Sequence, residues 1–298
     1  MNNRARFDRS NVGGDDWQSE IKEIISGASG GFLFGIPLLY TMEVWFIGSY
    51  VQPSMLLSIL AVTSIVIFII NRIEGFRPQE SETLPGAIAE TIETLAIGMV
   101  CSALMLIILK RIDLQTSLTE TLGKIIFEGV PFSLGVAFSR SLLSGDGEAD
   151  SDEGRDKSGS NQSQKSWQDT TADFGATLIG ALFIAFSIAP TDEITVLAAS
   201  ASSPWLLIIM FTSLLVSYCI VFASEITNYQ QRLHQLGVFQ SPLSETVISY
   251  LVSLFVSMLM LWFFQKIALS DPWYIWLRYT IILGLPASIG GAAGRLAV

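Results

Sequence analysis

Apolar residues gather in eight long runs, roughly 28–49, 54–71, 86–109, 122–143, 172–195, 204–224, 243–265 and 274–295, each closed by polar or glycine- and proline-bearing stretches. A helix crossing about 30 Å of hydrocarbon needs about 20 apolar residues, so each run predicts a transmembrane helix. The predicted fold class is therefore all-α, a polytopic membrane protein. Within that pattern the second half repeats the first. Residues 90–143 align without a gap to residues 245–298 at a constant offset of 155, and the shared positions are not merely apolar. Glu90-Thr91 recurs as Glu245-Thr246, Ser102 as Ser257, and Leu104-Met105-Leu106 as Leu259-Met260-Leu261. Gly129, Pro131, Ser133, Gly135, Ala137 and Arg140 recur as Gly284, Pro286, Ser288, Gly290, Ala292 and Arg295. Self-similarity at a fixed register marks a duplicated unit. Four helices per unit is an even number, so both units enter the membrane in the same direction. The expected architecture is two parallel four-helix repeats about an axis along the membrane normal.

The predicted organisation is a polar tail with an interfacial lead-in helix over 1–27, a first repeat over 28–143, a linker over 144–171 and a second repeat over 172–298. Trp17, Ile21, Ile24, Ile25 and Ala28 share a helical face behind the candidate caps Asp15 and Asp16, which suits the lead-in helix. The linker is rich in Gly, Ser and Asp and nearly devoid of apolar residues, so it cannot repay the entropy of ordering and reads as disordered. Its aspartates lack the alternating ligands, central glycine and closing glutamate of a calcium loop, and no metal site is expected.

Composition narrows the class further. Half the residues are hydrophobic and 15% are charged. Mean hydropathy is +0.51, outside the range of an ordinary soluble domain. The first apolar run follows a polar tail without a short basic region or a small-residue cleavage site, so no cleaved signal peptide is expected. Net charge is −10, concentrated outside the predicted spans, which argues against nucleic acid as a partner and leaves the lipid bilayer. Lysine and arginine favour the side of the amino terminus, so both termini are expected in the cytoplasm. Trp45, Tyr50, Trp205, Trp262, Trp273, Tyr274 and Trp276 fall near the opposite, outer ends, as an aromatic belt would. Cys101 and Cys219 lie inside apolar runs and read as small core side chains.

Ionisable groups inside a membrane are costly, so each is a candidate site. They are acidic here: Glu43, Glu90, Glu93, Glu128, Asp192, Glu193, Glu225 and Glu245. Thr41-Met42-Glu43 and Thr191-Asp192-Glu193 match at an offset of 150, as do Gly30 and Gly180. Pro190 removes a helical hydrogen bond beside Asp192 and Glu193, and a broken helix beside carboxylates is one way carriers build cation or proton sites. Glu43, Asp192 and Glu193 are thus candidate ion or proton ligands, with interfacial capping as the alternative. Glu93, one turn beyond Glu90 and aligned with Ile248, is a further candidate. Glu90 with Arg140, and Glu245 with Arg295, are expected to form structural ion pairs closing each hairpin. Pro131, Pro190 and Pro286 are expected helix kinks, and the small residues around Pro131 and Pro286 allow close helix packing. His234 reads as an exposed residue of a polar stretch.

No His-Glu-x-x-His, phosphate loop or paired membrane aspartates are present, so neither an enzyme nor a cofactor is expected. The expected function is a secondary carrier or ion pathway for a proton or small cation; an assembly or sensing role without transport is the competing class. A carrier built on Glu43 and Glu193 requires the two to reach one cavity. The first-helix segment GGFLFGIPLLYTMEVW, the phrase NRIEGFRP and the fifth-helix IAPTDEI together resemble an uncharacterised bacterial family of multi-pass integral membrane proteins. That resemblance implies a bacterial inner membrane and supplies no activity.

Overall fold

The computed structural model describes residues 12–74, 83–144, 162–227 and 242–296, and no strand occurs among them. The chain forms α1 (Val12–Leu39), α2 (Met42–Tyr50), α3 (Pro53–Glu74), α4 (Leu84–Ile108), α5 (Leu118–Ala137) and α6 (Ser139–Ser144). The second half follows with α7 (Gln162–Ile188), α8 (Glu193–Ser200), α9 (Ser203–Thr227), α10 (Pro242–Phe263) and α11 (Trp273–Leu296). Five helices, α3, α4, α9, α10 and α11, are long and apolar enough to cross a membrane, and seven spans result if each of two bent pairs counts as one.

The structure differs from eight spans, one per apolar run, at three places. The run 28–49 breaks after Leu39, and α2 leaves α1 at 89°. Similarly, 172–195 breaks after Ile188, and α8 leaves α7 at 91°. The run 122–143 is the polar helix α5, which carries Glu120, Lys124 and Glu128 and stops at Ala137. Hydropathy alone does not see the first break, because Tyr40 and Thr41 interrupt the helix without interrupting the apolar pattern. Residues 145–161 of the expected linker lie outside the described residues, and Gln162 onward belongs to α7.

The fourth long helix of each half is its packing centre. α5 lies against α1, α2, α3 and α4, and α11 lies against α7, α8, α9 and α10. α11 has 67% of its spanning window buried, whereas the outer helix α3 has 17% and turns Leu57, Ile65 and Ile69 outward. Two glycine pairs bring helix backbones close together. A Cβ on Gly30 or Gly135 would strike the other residue's carbonyl oxygen, and the same holds for Gly180 and Gly290. Gly30 aligns with Gly180 and Gly135 with Gly290, so aligned residues make the same backbone approach in both halves.

The ends of α4 and α10 match equally well. Lys110 and Gln265, 155 residues apart, are left-handed at φ 54 and φ 57. In each case the next residue's amide returns to a helical carbonyl, Arg111 to Leu106 at 2.8 Å and Lys266 to Leu261 at 2.9 Å. This is the Schellman arrangement, which satisfies carbonyls the helix end would leave open.

The halves join through α1, which packs on α9 and α11. Pro286 supplies no amide to the Ile282 carbonyl one turn before it. The Tyr40 hydroxyl donates to that carbonyl at 2.7 Å, across 242 residues of sequence. A second bond crosses between the halves where Trp205 Nε1 donates to the Ile108 carbonyl at 2.6 Å, and Lys110 sits over the Trp205 ring at 4.4 Å.

Candidate functional site

The two helix breaks meet. Met42 opens α2, and its amide donates to Glu193 Oε1 at 3.2 Å, across 151 residues. Glu193 is itself the first residue of α8. Its carboxylate thus lies at the amino ends of two short helices, one from each half, where exposed amides and both helix dipoles favour negative charge. The side chain is buried, with 8% exposure. The neighbouring Asp192 is exposed and paired with Lys266 at 2.9 Å. At the position aligned with Lys266, Arg111 instead sits over the Trp45 ring at 5.1 Å. Trp45 is buried and donates to the Leu39 carbonyl at 2.7 Å, so its indole bridges the first break and is not a headgroup-facing ring.

Glu43 does not join this arrangement. It is exposed on α2, whereas Glu193 is enclosed, so the matched Thr-x-Glu segments place their glutamates in different surroundings. A groove of about 530 Å³ between α1, α7 and α11 is lined by apolar residues such as Leu33, Pro37, Phe183 and Gly290, and neither glutamate lines it. Pro190 sits in the α7–α8 break, while Pro131 and Pro286 lie inside α5 and α11. Glu90 is fully buried on α4, Arg295 is buried on α11, and Glu93 is half-buried one turn beyond Glu90. The side chains of Arg140, Glu225 and Glu245, and the whole of His234, lie outside the described residues.

The carboxyl that stands out is Glu128. It is fully buried, and among the described residues neither oxygen has a hydrogen-bond partner. Its depth follows from the antiparallel contact of α1 with α5. Gly27 lies opposite Val136, Gly35 opposite Phe132, and Gly48 of α2 opposite Gly123 and Lys124. Glu128 is one turn from both Phe132 and Lys124 on one face of α5, level with the α1–α2 break. At 1.5 Å per residue it is about 15 Å from the amino end of α5. Lys124 does not reach for it; its ammonium donates to Glu120 at 2.6 Å and to the Arg111 carbonyl at 2.8 Å. Pro131 leaves the Phe127 carbonyl without its helical donor beside this carboxyl. In the second half the aligned carbonyl is Ile282, filled by Tyr40; the residue aligned with Tyr40 is Pro190, which has no hydroxyl to offer Phe127.

Sequence reasoning counted Glu128 among the intramembrane acids but gave it no role. The available signal was its setting, three residues before a helix-interior proline and opposite Leu283 in the repeat. Tyr40 and the cross-half cap at Met42 carried no sequence signal, because their partners lie in the other half.

These features define an all-helical, multi-pass integral membrane protein. A family model described as "Putative integral membrane protein (DUF2391)" matches residues 23–298, and the chain belongs to that family. No curated protein and no solved structure matches it.

Proposed function

We propose that this protein carries protons or a small cation across the membrane, with Glu128 as the group that takes up and releases the ion. One observation carries the reading: a fully buried carboxyl whose two oxygens accept no hydrogen bond. An unpaired carboxylate in apolar surroundings is costly enough that the group holds a proton or a cation there. The adjacent α1–α2 break and the Phe127 carbonyl freed by Pro131 supply polar backbone at the same depth. Glu43 and Asp192 are then peripheral, and Glu193 holds the paired breaks together.

In this reading the protein sits in a bacterial inner membrane with both termini in the cytoplasm. Eight membrane-associated segments form two parallel repeats, a view supported by the matched glycine pairs, left-handed helix ends and proline-freed carbonyls. The competing reading, an assembly protein without transport, draws on Glu193 and Asp192, both engaged in holding structure.

Proteoliposome flux separates the two. Proton or alkali-cation flux is expected from the wild type and from Glu43→Gln, and its loss from Glu128→Gln. Absence of flux from the wild type for protons and for every alkali cation, or full flux from Glu128→Gln, would remove the transport reading.

A further inference from the structure

If Glu128 is the transporting group, its neighbours select among ions. Along α5 the positions one turn away are Lys124, Ile125, Pro131 and Phe132, none of which offers a side-chain oxygen. Lys124 is committed to Glu120 and to the Arg111 carbonyl. Ser102 of α4 is turned to the Met99 and Ile125 carbonyls, at 3.0 and 3.3 Å.

The charged groups on the helices packed against α5 fall at other levels. Met99 of α4 lies at Gly129, so Glu93 and Glu90 stand about 9 and 14 Å along α4 from that crossing. Asn71 of α3 donates to Thr94 at 3.2 Å, which puts Arg72 near the level of Thr94, about 8 Å along from Met99. On α1, Gly27 lies against Val136, so Glu20, Lys22 and Glu23 lie past the other end of α5, as Arg140 does in sequence. Glu43 of α2 is exposed. Among the described residues nothing donates to either Glu128 oxygen, and no three acidic, histidine or cysteine side chains come together.

A metal ion needs more than this. Ca²⁺ takes roughly six to eight oxygens and Mg²⁺ about six, and K⁺ sheds its water only where carbonyl oxygens replace it. The two Glu128 oxygens and the Phe127 carbonyl fall short of such a shell. A proton needs only the carboxylate itself: one O–H bond removes the charge, and a neutral carboxyl is far less costly to bury than an ion. Building on the transport role proposed above, we infer that the ion held by Glu128 is a proton. The resting side chain is a neutral carboxylic acid, and alkali and divalent cations are not its ligands.

Infrared spectroscopy of the full chain in an ester-free detergent, dodecyl maltoside, tests this near neutral pH without requiring flux. The C=O stretch of a protonated carboxyl is expected in the wild type, lost in Glu128→Gln, and unmoved by Na⁺, K⁺, Mg²⁺ or Ca²⁺. A second measurement uses the wild type alone, so the assignment does not hinge on the folding of the variant. Dicyclohexylcarbodiimide, which adds a carboxyl O–H across one of its N=C bonds in apolar surroundings, is expected to label Glu128 equally with and without those salts, as read by peptide mass spectrometry. Absence of the band, its survival in folded Glu128→Gln, or protection from labelling by any of the salts would overturn the proposal. The two readings fail separately: the band without flux removes the carrier, and cation flux without the band removes the proton.

Discussion

The first and second halves share a skeleton and differ in their chemistry. Gly30 against Gly135 and Gly180 against Gly290 impose one helix crossing twice, and Lys110 and Gln265 end aligned helices with one backbone conformation. Where side chains fill the space around that skeleton, correspondence stops. Phe132 packs into the gap above Gly35, whereas the aligned second-half residues are Ala287 and Ala185, both fully buried. Glu128 is a buried carboxyl on α5; Leu283 occupies its place in the second half. Tyr40 completes the second half's proline-freed carbonyl, and Pro190 returns nothing to the first. The difference teaches that aligned positions keep their backbone approach where their side-chain chemistry diverges.

The sharpest test makes the first half chemically like the second. Glu128→Leu, the second half's residue, is expected to raise stability by about 1–3 kcal/mol, because an unbonded polar group leaves the interior. In calibrated thermal melts in detergent, an equal or lower melting temperature would mean that Glu128 is held by interactions essential to the fold.

A smaller effect is expected when the first half withdraws its service to the second. Tyr40→Phe leaves the Ile282 carbonyl without a donor and is expected to cost about 1–2 kcal/mol. The analogous loss cannot be made in the other direction, since Pro190 carries no hydroxyl. A melting temperature unchanged by Tyr40→Phe would show that the carbonyl is satisfied some other way.

The smallest effect concerns the loops after α4 and α10, where the halves close one turn with different side chains. Asp113 Oδ1 accepts from the Thr116 hydroxyl and from the amides of Gln115 and Thr116, each at 2.9 Å. In the second half Asp271 stands in place of the threonine and accepts from the Ala268 amide at 2.8 Å, as the Thr116 hydroxyl accepts from the Asp113 amide at 3.0 Å. The Thr116 hydroxyl bond, followed by the Gln115 amide, holds the Asp113 carboxyl below its ordinary range. A lowered folded value means that its contribution is present above the unfolded value of about 3.9 and fades as pH falls through the lower folded value. Melts from about pH 5 down to about pH 2.5 are expected to show slightly less acid loss in Asp113→Asn. Identical pH profiles would assign the turn to backbone alone.

What could be read from the sequence follows the same division. The sequence match between residues 90–143 and 245–298 was legible because glycine and proline carry backbone meaning, as at Gly135 and Gly290. Pro190 marked the second break, but no comparable signal marked the first, where Tyr40 and Thr41 sit inside an uninterrupted apolar run. Exposure of Glu43 against enclosure of Glu193 was not legible, because the deciding contact is the Met42 amide of the other half. Glu128 was visible as a buried acid, but its lack of hydrogen bonds is a property of its neighbours.

The Tyr40 bond also bears on how the molecule is made. Its acceptor is synthesised 242 residues later. A nascent first half therefore reaches the bilayer with one hydroxyl waiting, and the contact closes only when α11 has been inserted and docked. Such a late, long-range closure makes assembly of the pair a distinct step of biogenesis, one at which a membrane chaperone or quality-control protease would meet an unfinished seam.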